Sequence, residues 1–210
     1  MQQNDIDKIN AFLAENKGKR KFLQSVELAI NFKGIDFNKT DNRLNLSVVL
    51  PFGKGKQSNA AVFTDDLKIS EQAKKLNVRV ISSAELQLIA KDQLKQNELL
   101  SYEMLAQPNL MPQIAKAVGQ FLGPRGKMPK PIVSGDLETI LKNVSRSVYI
   151  RSKGKYLPTV HCVVGTESMP VNEITSNIDA VFNDVAKKVG RQNIRSTYIK
   201  LTMSKPMKLL

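Results

Sequence analysis

The chain has 210 residues, and its 32 Lys and Arg against 19 Asp and Glu give a formal net charge of +13. That length allows one large domain or two small ones, and 41% hydrophobic residues are enough for a packed core. A single Cys and a single His exclude a disulfide framework within the chain and the Cys-rich or multi-His metal sites. The excess of cations predicts a polyanionic partner, either nucleic acid or an anionic membrane surface.

The N-terminus and the hydropathy pattern predict a soluble, intracellular protein in a reducing compartment. The first ten residues, MQQNDIDKIN, lack the basic segment and apolar stretch of a signal peptide. No apolar run approaches the roughly 18 residues of a membrane span. Cys162 follows His161, and neighbouring residues of a strand point to opposite faces. We therefore expect Cys162 to be a core residue and not the nucleophile of a Cys–His pair.

In chain order, the first predicted elements are a helix over residues 5–15 and two strands, over residues 25–32 and 44–50. Apolar residues recur at helical spacing in the first segment and at every second position in the other two. We expect the two strands to pair antiparallel across the polar connection of residues 33–43. The Gly- and Lys-rich residues 51–59 then predict a hinge.

Beyond this hinge, short apolar runs alternate with helical stretches. The predicted strands are 60–63, 78–81, 102–106 and 148–151, and the predicted helices are 70–76, 83–91, 114–121 and 137–144. This alternation is typical of an open parallel sheet that is covered by helices.

A second basic, Gly-containing connection at residues 151–156 precedes a predicted strand over residues 159–164. The strongest helix pattern then runs from Pro170 to Gly190, and a final strand alternates apolar residues up to Met203. A hairpin before the βα alternation and a strand–helix–strand unit after it predict one discontinuous domain that is interrupted by another.

We therefore predict an α/β protein with two domains. Residues 1–58 and 156–210 form a two-layer outer domain of split βαβ type. Residues 59–155 form an inserted Rossmann-like domain with a parallel sheet. The predicted hinges lie near residues 52–59 and 151–157.

Basic residues are clustered within these predicted domains. The net charge is +7 for the outer domain and +6 for the insert, in which residues 116–155 alone carry +7. The outer-domain cations gather at residues 17–21, at Lys54 and Lys56, and along residues 187–208. Each cluster is either a solvated surface or a set of phosphate contacts, which release counterions when they form.

The motifs of common enzyme classes are absent. Each Gly-Lys pair is followed by a residue other than Ser or Thr, and no G-x-G-x-x-G or G-x-S-x-G motif occurs. Asp65 and Asp66 are interpreted as a helix cap rather than a metal site. We predict no enzymatic activity, no cofactor, no metal and no small-molecule substrate. The alternative that stays open is an α/β protein that binds a nucleotide or phosphometabolite, although it lacks a phosphate loop.

Residues 119–131, GQFLGPRGKMPKP, are the most distinctive segment. Its glycines permit unusual backbone angles and its prolines stiffen the chain, so Arg125, Lys127 and Lys130 would project from a rigid loop that suits an anion. The segment also resembles the L-G-P-R-G-x-M-P-x-P signature of the ribosomal protein L-one family, the large-subunit stalk protein.

The resemblance covers essentially the whole chain. Residues 21–27, KFLQSVE, are similar to the family's basic-Phe-x-x-[Thr/Ser]-Val-Glu strand. Further family motifs follow in order, at residues 34–36, 50–56, 165 and 196–203, and the spacing over residues 32–36 is similar to that of archaeal members. Members have one domain built from both termini and a second inserted into it, which agrees with the predicted elements.

The resemblance implies binding of large-subunit rRNA at a mobile stalk near the tRNA exit site, where the protein assists tRNA release. Bacterial and archaeal members also repress translation by binding their own mRNA. The implied partners are therefore rRNA, the protein's own mRNA, exit-site tRNA and other ribosomal components, on the ribosome in the cytoplasm and without a membrane.

The family's RNA contacts, carried over by motif, fall on the first and last strands at Lys21, Phe22, Ser25, Glu27, Thr202 and Met203. A Phe and a Met on two strands of one sheet would form an apolar platform for bases. Ser, Thr and Glu would hydrogen-bond to bases or ribose 2′-OH groups. The alternative is that Glu27 only lies on a solvated face and that Phe22 covers the sheet edge.

One position departs from the family pattern. Members usually continue Thr-Met-Gly-Pro, whereas this chain has Ser204 in place of the glycine, followed by Lys205 and Pro206. Glycine allows close backbone approach and a positive φ, which serine restricts. Ser204 is included among the predicted RNA-binding residues with two alternatives: it adapts through its hydroxyl, or the affinity for RNA is lower.

Overall fold

The structure is a computed structural model that describes residues 3–56, 59–132, 136–151 and 157–209. Within these ranges the strands are β1 (Ser25–Phe32), β2 (Asn45–Val49), β3 (Asn59–Phe63), β4 (Arg79–Ile81), β5 (Tyr102–Ala106), β6 (Lys130–Pro131), β7 (Ser147–Arg151), β8 (Thr159–Thr166), β9 (Ile194–Leu201) and β10 (Met207–Lys208). The helices are α1 (Gln3–Asn16), α2 (Leu67–Lys75), α3 (Ser83–Lys91), α4 (Gln93–Leu99), α5 (Met111–Leu122), α6 (Leu137–Arg146) and α7 (Val171–Val189). No helix in these ranges is long and apolar enough to cross a membrane.

The chain divides into two compact units. The outer unit consists of Met1–Lys56 and Arg146–Leu210, and the inserted unit of Gln57–Ser145. The sequence had assigned residues 147–151 to the insert, but β7 pairs with β2 along its whole length and belongs to the outer unit. Of the two predicted hinges, residues 57–58 and 152–156 lie outside the described residues, and the hinges remain a prediction.

The main layer of the outer unit is a four-stranded sheet in the order β10–β9–β1–β8. β1 is antiparallel to both β8 and β9. Because α7 joins β8 to β9 and β1 lies between them, the arrangement is the predicted split βαβ unit. Alternate residues of β1 enter the core, where they pack with residues of α1 and α7: Val26, Leu28, Ile30, Phe32, Ile9, Phe12, Ile174, Ile178 and Val181.

The predicted pairing of the first two strands is wrong. β1 lies between β8 and β9, whereas β2 pairs antiparallel with β7 in a separate two-stranded sheet. Alternating apolar residues determine which face of a strand is buried, but not which strand lies beside it. The expectation rested on the tendency of consecutive strands to be neighbours, which fails in a substantial minority of cases.

The inserted unit has the predicted Rossmann-like architecture. Its four strands are parallel, in the order β4–β3–β5–β6. Ala61 and Phe63 of β3 pack against α3, α4 and α5, while Val62 packs on the other face with α2 and α6. Helices on both faces explain why the strands are nearly continuous apolar runs. The sequence analysis did not predict α4, β6 or the outer-unit strand β10.

With the unit boundary that the structure shows, the charge is divided between the two units differently from the prediction. The outer unit contains 21 Lys and Arg against 10 Asp and Glu, a net charge of +11, and the inserted unit carries only +2. The predicted boundary had divided the charge almost evenly. Nearly all of the excess that attracts a polyanion therefore belongs to the outer unit.

A buried amide attaches the segment after β2 to the core of the outer unit. Asn177 of α7 is completely buried. Its Oδ1 accepts a hydrogen bond from the N–H of Phe52 at 3.1 Å, and its Nδ2 donates to the carbonyls of Gly53 at 2.9 Å and Val164 at 2.8 Å. Three bonds satisfy an otherwise costly buried polar group and fix residues 52–53 beside the end of β8.

Candidate nucleic-acid interface

Four chain segments meet at one end of the outer sheet. Because β1 is antiparallel to its neighbours, Ser25 at its start pairs with Thr166 of β8, and Val26 pairs with Leu201 of β9. We define the proximal end as residues 17–25, 51–56, 165–169 and 202–206. Six of the seven predicted RNA-binding residues lie in it, and Glu27 is two residues further along β1.

The exposed apolar residues of this end lie outside the strands. Lys21 and Phe22 precede β1, and Thr202 and Met203 follow the end of β9 at Leu201. The prediction that these four residues belong to the strands is therefore corrected. Phe22 is 50% exposed and Met203 is 56% exposed, which is unusual for large apolar side chains unless they meet a partner. The apolar surface is presented by flanking segments instead of the flat face of the sheet.

Thr202 and Ser25 are bonded to each other. The N–H of Ser25 donates to the Thr202 hydroxyl at 3.1 Å, and the N–H of Thr202 donates to the Ser25 carbonyl at 3.2 Å. The Thr202 side chain thus continues the pairing of β9 with β1 beyond the last strand residue. These bonds fix Thr202, the residue before Met203, at the sheet end.

Glu27 lies on the half-exposed face of β1. Its carboxylate is 3.8 Å from the ammonium of Lys200, the residue of β9 that pairs with Glu27. This ion pair lowers the repulsion between Glu27 and a polyanion, while the carboxylate oxygens still accept hydrogen bonds from solvent or a ligand.

Ser204 closes the turn after β9 through its hydroxyl. The Oγ accepts a hydrogen bond from the N–H of Leu201 at 2.8 Å and can donate to the carbonyl of Lys205 at 3.0 Å. Ser204 does not have a positive φ. The geometry therefore favours the first of the two alternatives for this position, because the hydroxyl itself bonds the backbone of the turn at Leu201 and Lys205.

Glu167 was not predicted, yet its buried carboxylate connects three segments of the proximal end. It is only 6% exposed and accepts hydrogen bonds from the N–H of Gln24 at 3.0 Å, the Gln24 side-chain amide at 3.2 Å and the N–H of Gly18 at 3.3 Å. The Gln24 amide oxygen in turn accepts from the N–H of Met203 at 3.2 Å. The loop before β1 and the turn after β9 are therefore held by one bonded pair.

The ionisation of Glu167 depends on these bonds. Burial favours the neutral carboxyl, but the hydrogen bonds from Gln24 and Gly18 and the nearby charge of Lys17 outweigh that effect and lower the pKa of Glu167. The group is consequently a carboxylate at neutral pH. An isolated Glu in a turn normally indicates an exposed residue, so no pattern in the sequence reveals this role.

Lys56 is a second residue of the proximal end that was not among the predicted contacts. Its ammonium donates to the Ser25 hydroxyl at 3.1 Å. The preceding Gly55 has φ +70°, and a Cβ there would lie 2.5 Å from the Thr166 hydroxyl and 2.6 Å from the sulfur of Met169. Only glycine permits this close approach, which brings Lys56 to the start of β1. The charge cluster at Lys54 and Lys56 was the sequence signal for it.

The proximal end combines cations with a cleft and apolar side chains. A cleft of about 360 Å³ is lined by Asn16, Lys19, Arg20, Gln24, Met203 and Ser204. Cations neutralise phosphates, exposed Phe and Met side chains pack against bases, and amides and hydroxyls bond to base edges or to 2′-OH groups. This combination suits single-stranded or irregular RNA better than a small metabolite.

The structure argues against the nucleotide-binding alternative. In the inserted unit the strand order reverses between β3 and β5, the usual place for a nucleotide. There the Asp65 carboxylate accepts from the N–H of Ser83 at 2.8 Å, and Asp66 accepts from the N–H of Lys68 at 2.8 Å. Carboxylates thus occupy the N-termini of α2 and α3, two of the places where a phosphate would bind. Asp66 is the helix cap that was predicted.

Arg125 and Cys162, two residues that the sequence analysis singled out, have neighbours that explain their positions. Arg125 lies 4.0 Å from the ring centre of Phe121 and donates to its carbonyl at 2.8 Å, so this cation of the Gly- and Pro-rich loop already has a partner. Cys162 packs against the outer core while His161 is exposed, and burial raises the pKa of the thiol to about 12. No group of three His, Cys, Asp or Glu suited to a metal occurs in the ranges described.

Comparison with known proteins gives the family. Residues 13–205 match the model of the "Ribosomal protein L1p/L10e family". The chain belongs to this family. The protein named "Large ribosomal subunit protein uL1" of Pyrococcus abyssi is 40% identical over 214 aligned positions, covering 98% of this chain and 96% of the relative. The proteins of that name from Pyrococcus horikoshii and Thermoplasma acidophilum are 41% and 36% identical, covering 95% and 100% of this chain and 94% and 97% of the relatives.

This membership confirms the resemblance to the L-one family and the archaeal character of the sequence. Members are structural ribosomal proteins, so the prediction of a chain without enzymatic activity is confirmed as well. The place of action that follows from membership is the ribosome, in the cytoplasm.

Replacement of Glu167 tests whether its hydrogen bonds to Gln24 and Gly18 stabilise the fold. Glu167→Gln removes the charge that accepts three hydrogen bonds, and we expect it to lower the free energy of unfolding by about 1–3 kcal/mol at pH 7. Because the folded pKa lies below the unfolded value of about 4.3, the contribution of Glu167 is complete above that pH and is lost as the pH falls through the folded pKa. Urea unfolding between pH 7 and pH 3 measures both effects.

The matched control for this variant is Glu71→Gln, at an exposed position of α2. It is expected to change the free energy of unfolding by no more than about 0.5 kcal/mol at any pH. A Glu167→Gln protein with the same stability and the same acid dependence as the wild type would contradict the assigned role.

Proposed function

We propose that the proximal end binds large-subunit rRNA. The observation that carries this proposal is the pair of exposed apolar side chains, Phe22 and Met203, set among seven cations and held by the Glu167–Gln24 pair. The names of the relatives support the assignment to the large subunit. A positively charged end with exposed side chains that can pack on bases is the arrangement expected of a protein that recognises irregular RNA.

The residues of the proximal end contact different parts of the RNA according to their chemistry. Lys21 and the other cations of the loop before β1 neutralise phosphates and position the RNA, without reading its sequence. Phe22 and Met203 pack on unstacked bases. Glu27, whose charge is balanced by Lys200, accepts hydrogen bonds from 2′-OH groups or exocyclic amines, and Ser25 adds a hydroxyl beside it. Thr202 and Ser204 contribute mainly by fixing the turn that carries Met203.

The proposal extends to the place and the consequences of binding. As the family resemblance implies, the RNA is the mobile stalk near the tRNA exit site, and the protein assists the release of exit-site tRNA there. The same surface serves a second purpose as the repressor site for the protein's own mRNA. The absence of a second platform of exposed Phe and Met elsewhere among the described outer-unit residues supports one shared surface for the bases of both RNAs.

Truncation of the two apolar side chains tests the rRNA proposal. We expect Phe22→Ala and Met203→Ala each to weaken binding to a stalk fragment of archaeal large-subunit rRNA by about 5- to 150-fold, the effect of losing one stacked base. Both side chains are half-exposed, so the free energy of unfolding should change little. Filter binding across a salt series gives the affinities, and urea unfolding gives the stability.

Leu94→Ala is the matched control, because Leu94 is an exposed apolar residue of the inserted unit, 81% exposed. It should bind the stalk fragment as the wild type does. Equal affinity of the wild type for the stalk fragment and for an unrelated hairpin of the same length would overturn the specific claim.

Competition tests the repressor proposal. If one surface binds both RNAs, the leader of the protein's own mRNA and the stalk fragment should exclude each other, and Phe22→Ala should weaken both complexes to a similar degree. Simultaneous binding of the two RNAs, measured by gel shift of a labelled leader at saturating stalk fragment, would refute a shared site.

The role in tRNA release is tested on ribosomes. Large subunits depleted of the protein and then reconstituted should release labelled deacylated tRNA from the exit site faster than depleted subunits do. Identical release rates with and without the protein would rule this role out.

A further inference from the structure

The positive charge of the outer unit is concentrated at the two ends of its sheet. The proximal end has a net charge of +6, from seven cations and Glu167. We define the distal end as residues 32–43 and 184–195, where β1 ends, α7 ends and β9 begins; its net charge is +4. Only +1 of the +11 of the outer unit lies elsewhere. The eight residues of β1 separate the ends by about 25 Å.

The distal end contains a cleft of about 370 Å³ between the loop after β1 and the end of α7. Lys39 from the loop and Lys188 from the helix line it, and both side chains are exposed. The amides of Asn42 and Asn193 line the same cleft. The N–H of Lys33 donates to the carbonyl of Asn193 at 2.8 Å, which fixes the loop against the start of β9. The cleft is therefore held open by a bonded backbone and carries two ammonium groups.

The carbonyl groups at the end of α7 would repel a phosphate, but two of them, those of Ala186 and Val189, are already bonded. The N–H of Gly190 donates to the carbonyl of Ala186 at 2.8 Å, and the amide of Asn193 donates to the carbonyl of Val189 at 2.8 Å. These bonds offset the negative end of the helix dipole where it borders the cleft.

Two carboxylates nearby, those of Asp36 and Asp184, are engaged in the same way. Asp36, which lines the cleft, accepts from the N–H of Asn38 at 3.0 Å and from its amide at 2.9 Å. Asp184 lies 3.2 Å from the ammonium of Lys187. Asp36 and Asp184 thus have partners in the protein, while Lys39 and Lys188 are exposed to solvent.

The chemistry of the distal end indicates RNA phosphates and not a protein surface. A protein interface normally has large apolar or aromatic anchors at its centre. In residues 32–43 and 184–195 the large apolar side chains, such as Phe37 and Ile194, are buried or half-buried. Cations and amides without apolar anchors are typical of contacts to the nucleic-acid backbone, which position an RNA without reading its bases.

We propose that the distal end is a second, sequence-independent RNA contact, at which Lys39 and Lys188 hold backbone phosphates of the same RNA that the proximal end recognises. This inference rests on the proposed function. The outer unit then contacts one RNA at two places. It recognises bases at the proximal end and binds phosphates about 25 Å away.

The test compares two RNAs and the double variant K39A/K188A. One RNA is the shortest stalk fragment that keeps specific binding to the wild type, and the other is the same fragment extended by its natural flanking rRNA. We expect K39A/K188A to weaken binding of the extended RNA by about five- to twentyfold at 0.15 M salt. The slope of log K against log salt should fall by about 1–2, one for each lost phosphate contact. Binding of the short RNA should stay within twofold of wild type.

The control is K74A/K75A, which removes two exposed lysines from the last turn of α2 in the inserted unit. It makes the same change in net charge, and it should leave both RNAs bound as by the wild type. The proposal is overturned if K39A/K188A binds the extended RNA as the wild type does. It is also overturned if K39A/K188A weakens both RNAs equally, or if its effect equals that of K74A/K75A.

Phe22→Ala in the same assay separates this inference from the proposed function. If Phe22→Ala loses binding of both RNAs while K39A/K188A binds them as the wild type does, the proximal site is supported and the distal site is refuted. If Phe22→Ala binds both RNAs as the wild type does, the proposed function itself is refuted. Binding of polyglutamate that K39A/K188A abolishes, while the extended RNA is unaffected, would show an acidic protein as the partner and overturn the RNA contact.

Discussion

The antiparallel pairing of β1 with β8 on one side and β9 on the other is the constraint on which the outer unit depends. It brings together residues that are 143 and 177 positions apart, as in the bonds from Gln24 to Glu167 and from Ser25 to Thr202. Closing such loops costs chain entropy, which burial of the alternate residues of β1 under α1 and α7 offsets. The segments that flank the strands then have little freedom left, because Glu167 and Asn177 bond their backbones. A surface that is ordered before it meets RNA pays less entropy on binding.

The same pairing determines how the charge is presented. Cations that are scattered along the sequence collect at the two ends of one sheet, and the remaining residues of the outer unit carry a net charge of only +1. A polyanion is therefore attracted to two places at a set separation and not to the whole surface. The inserted unit, with a net charge of +2, contributes little to this field. Its Gly- and Pro-rich loop was predicted to suit an anion, but Arg125 is stacked on Phe121.

Much of the fold could be predicted from local patterns. β1, α3 and β5 have the residues that periodicity indicated, and the discontinuous architecture follows from the order of the elements. The partner of β2 could not be predicted, because alternation of apolar residues specifies a buried face and not a neighbour. For the same reason β7 was assigned to the insert, although it completes the two-stranded sheet of the outer unit. Short elements such as β6 and β10 carry too few residues to produce a pattern.

The sequence by itself determined the chemical inventory of the site: cations for phosphates, Phe22 and Met203 for bases, and no motif of an enzyme. Through its motifs it also indicated the family. Only the tertiary structure decided that Phe22 and Met203 lie in flanking segments, that Glu167 is a buried carboxylate beneath them, and that Lys56 reaches Ser25. The reason is physical: the type of a side chain is local information, whereas burial, hydrogen-bond partners and the clustering of charge depend on strands that pair across more than a hundred residues of chain.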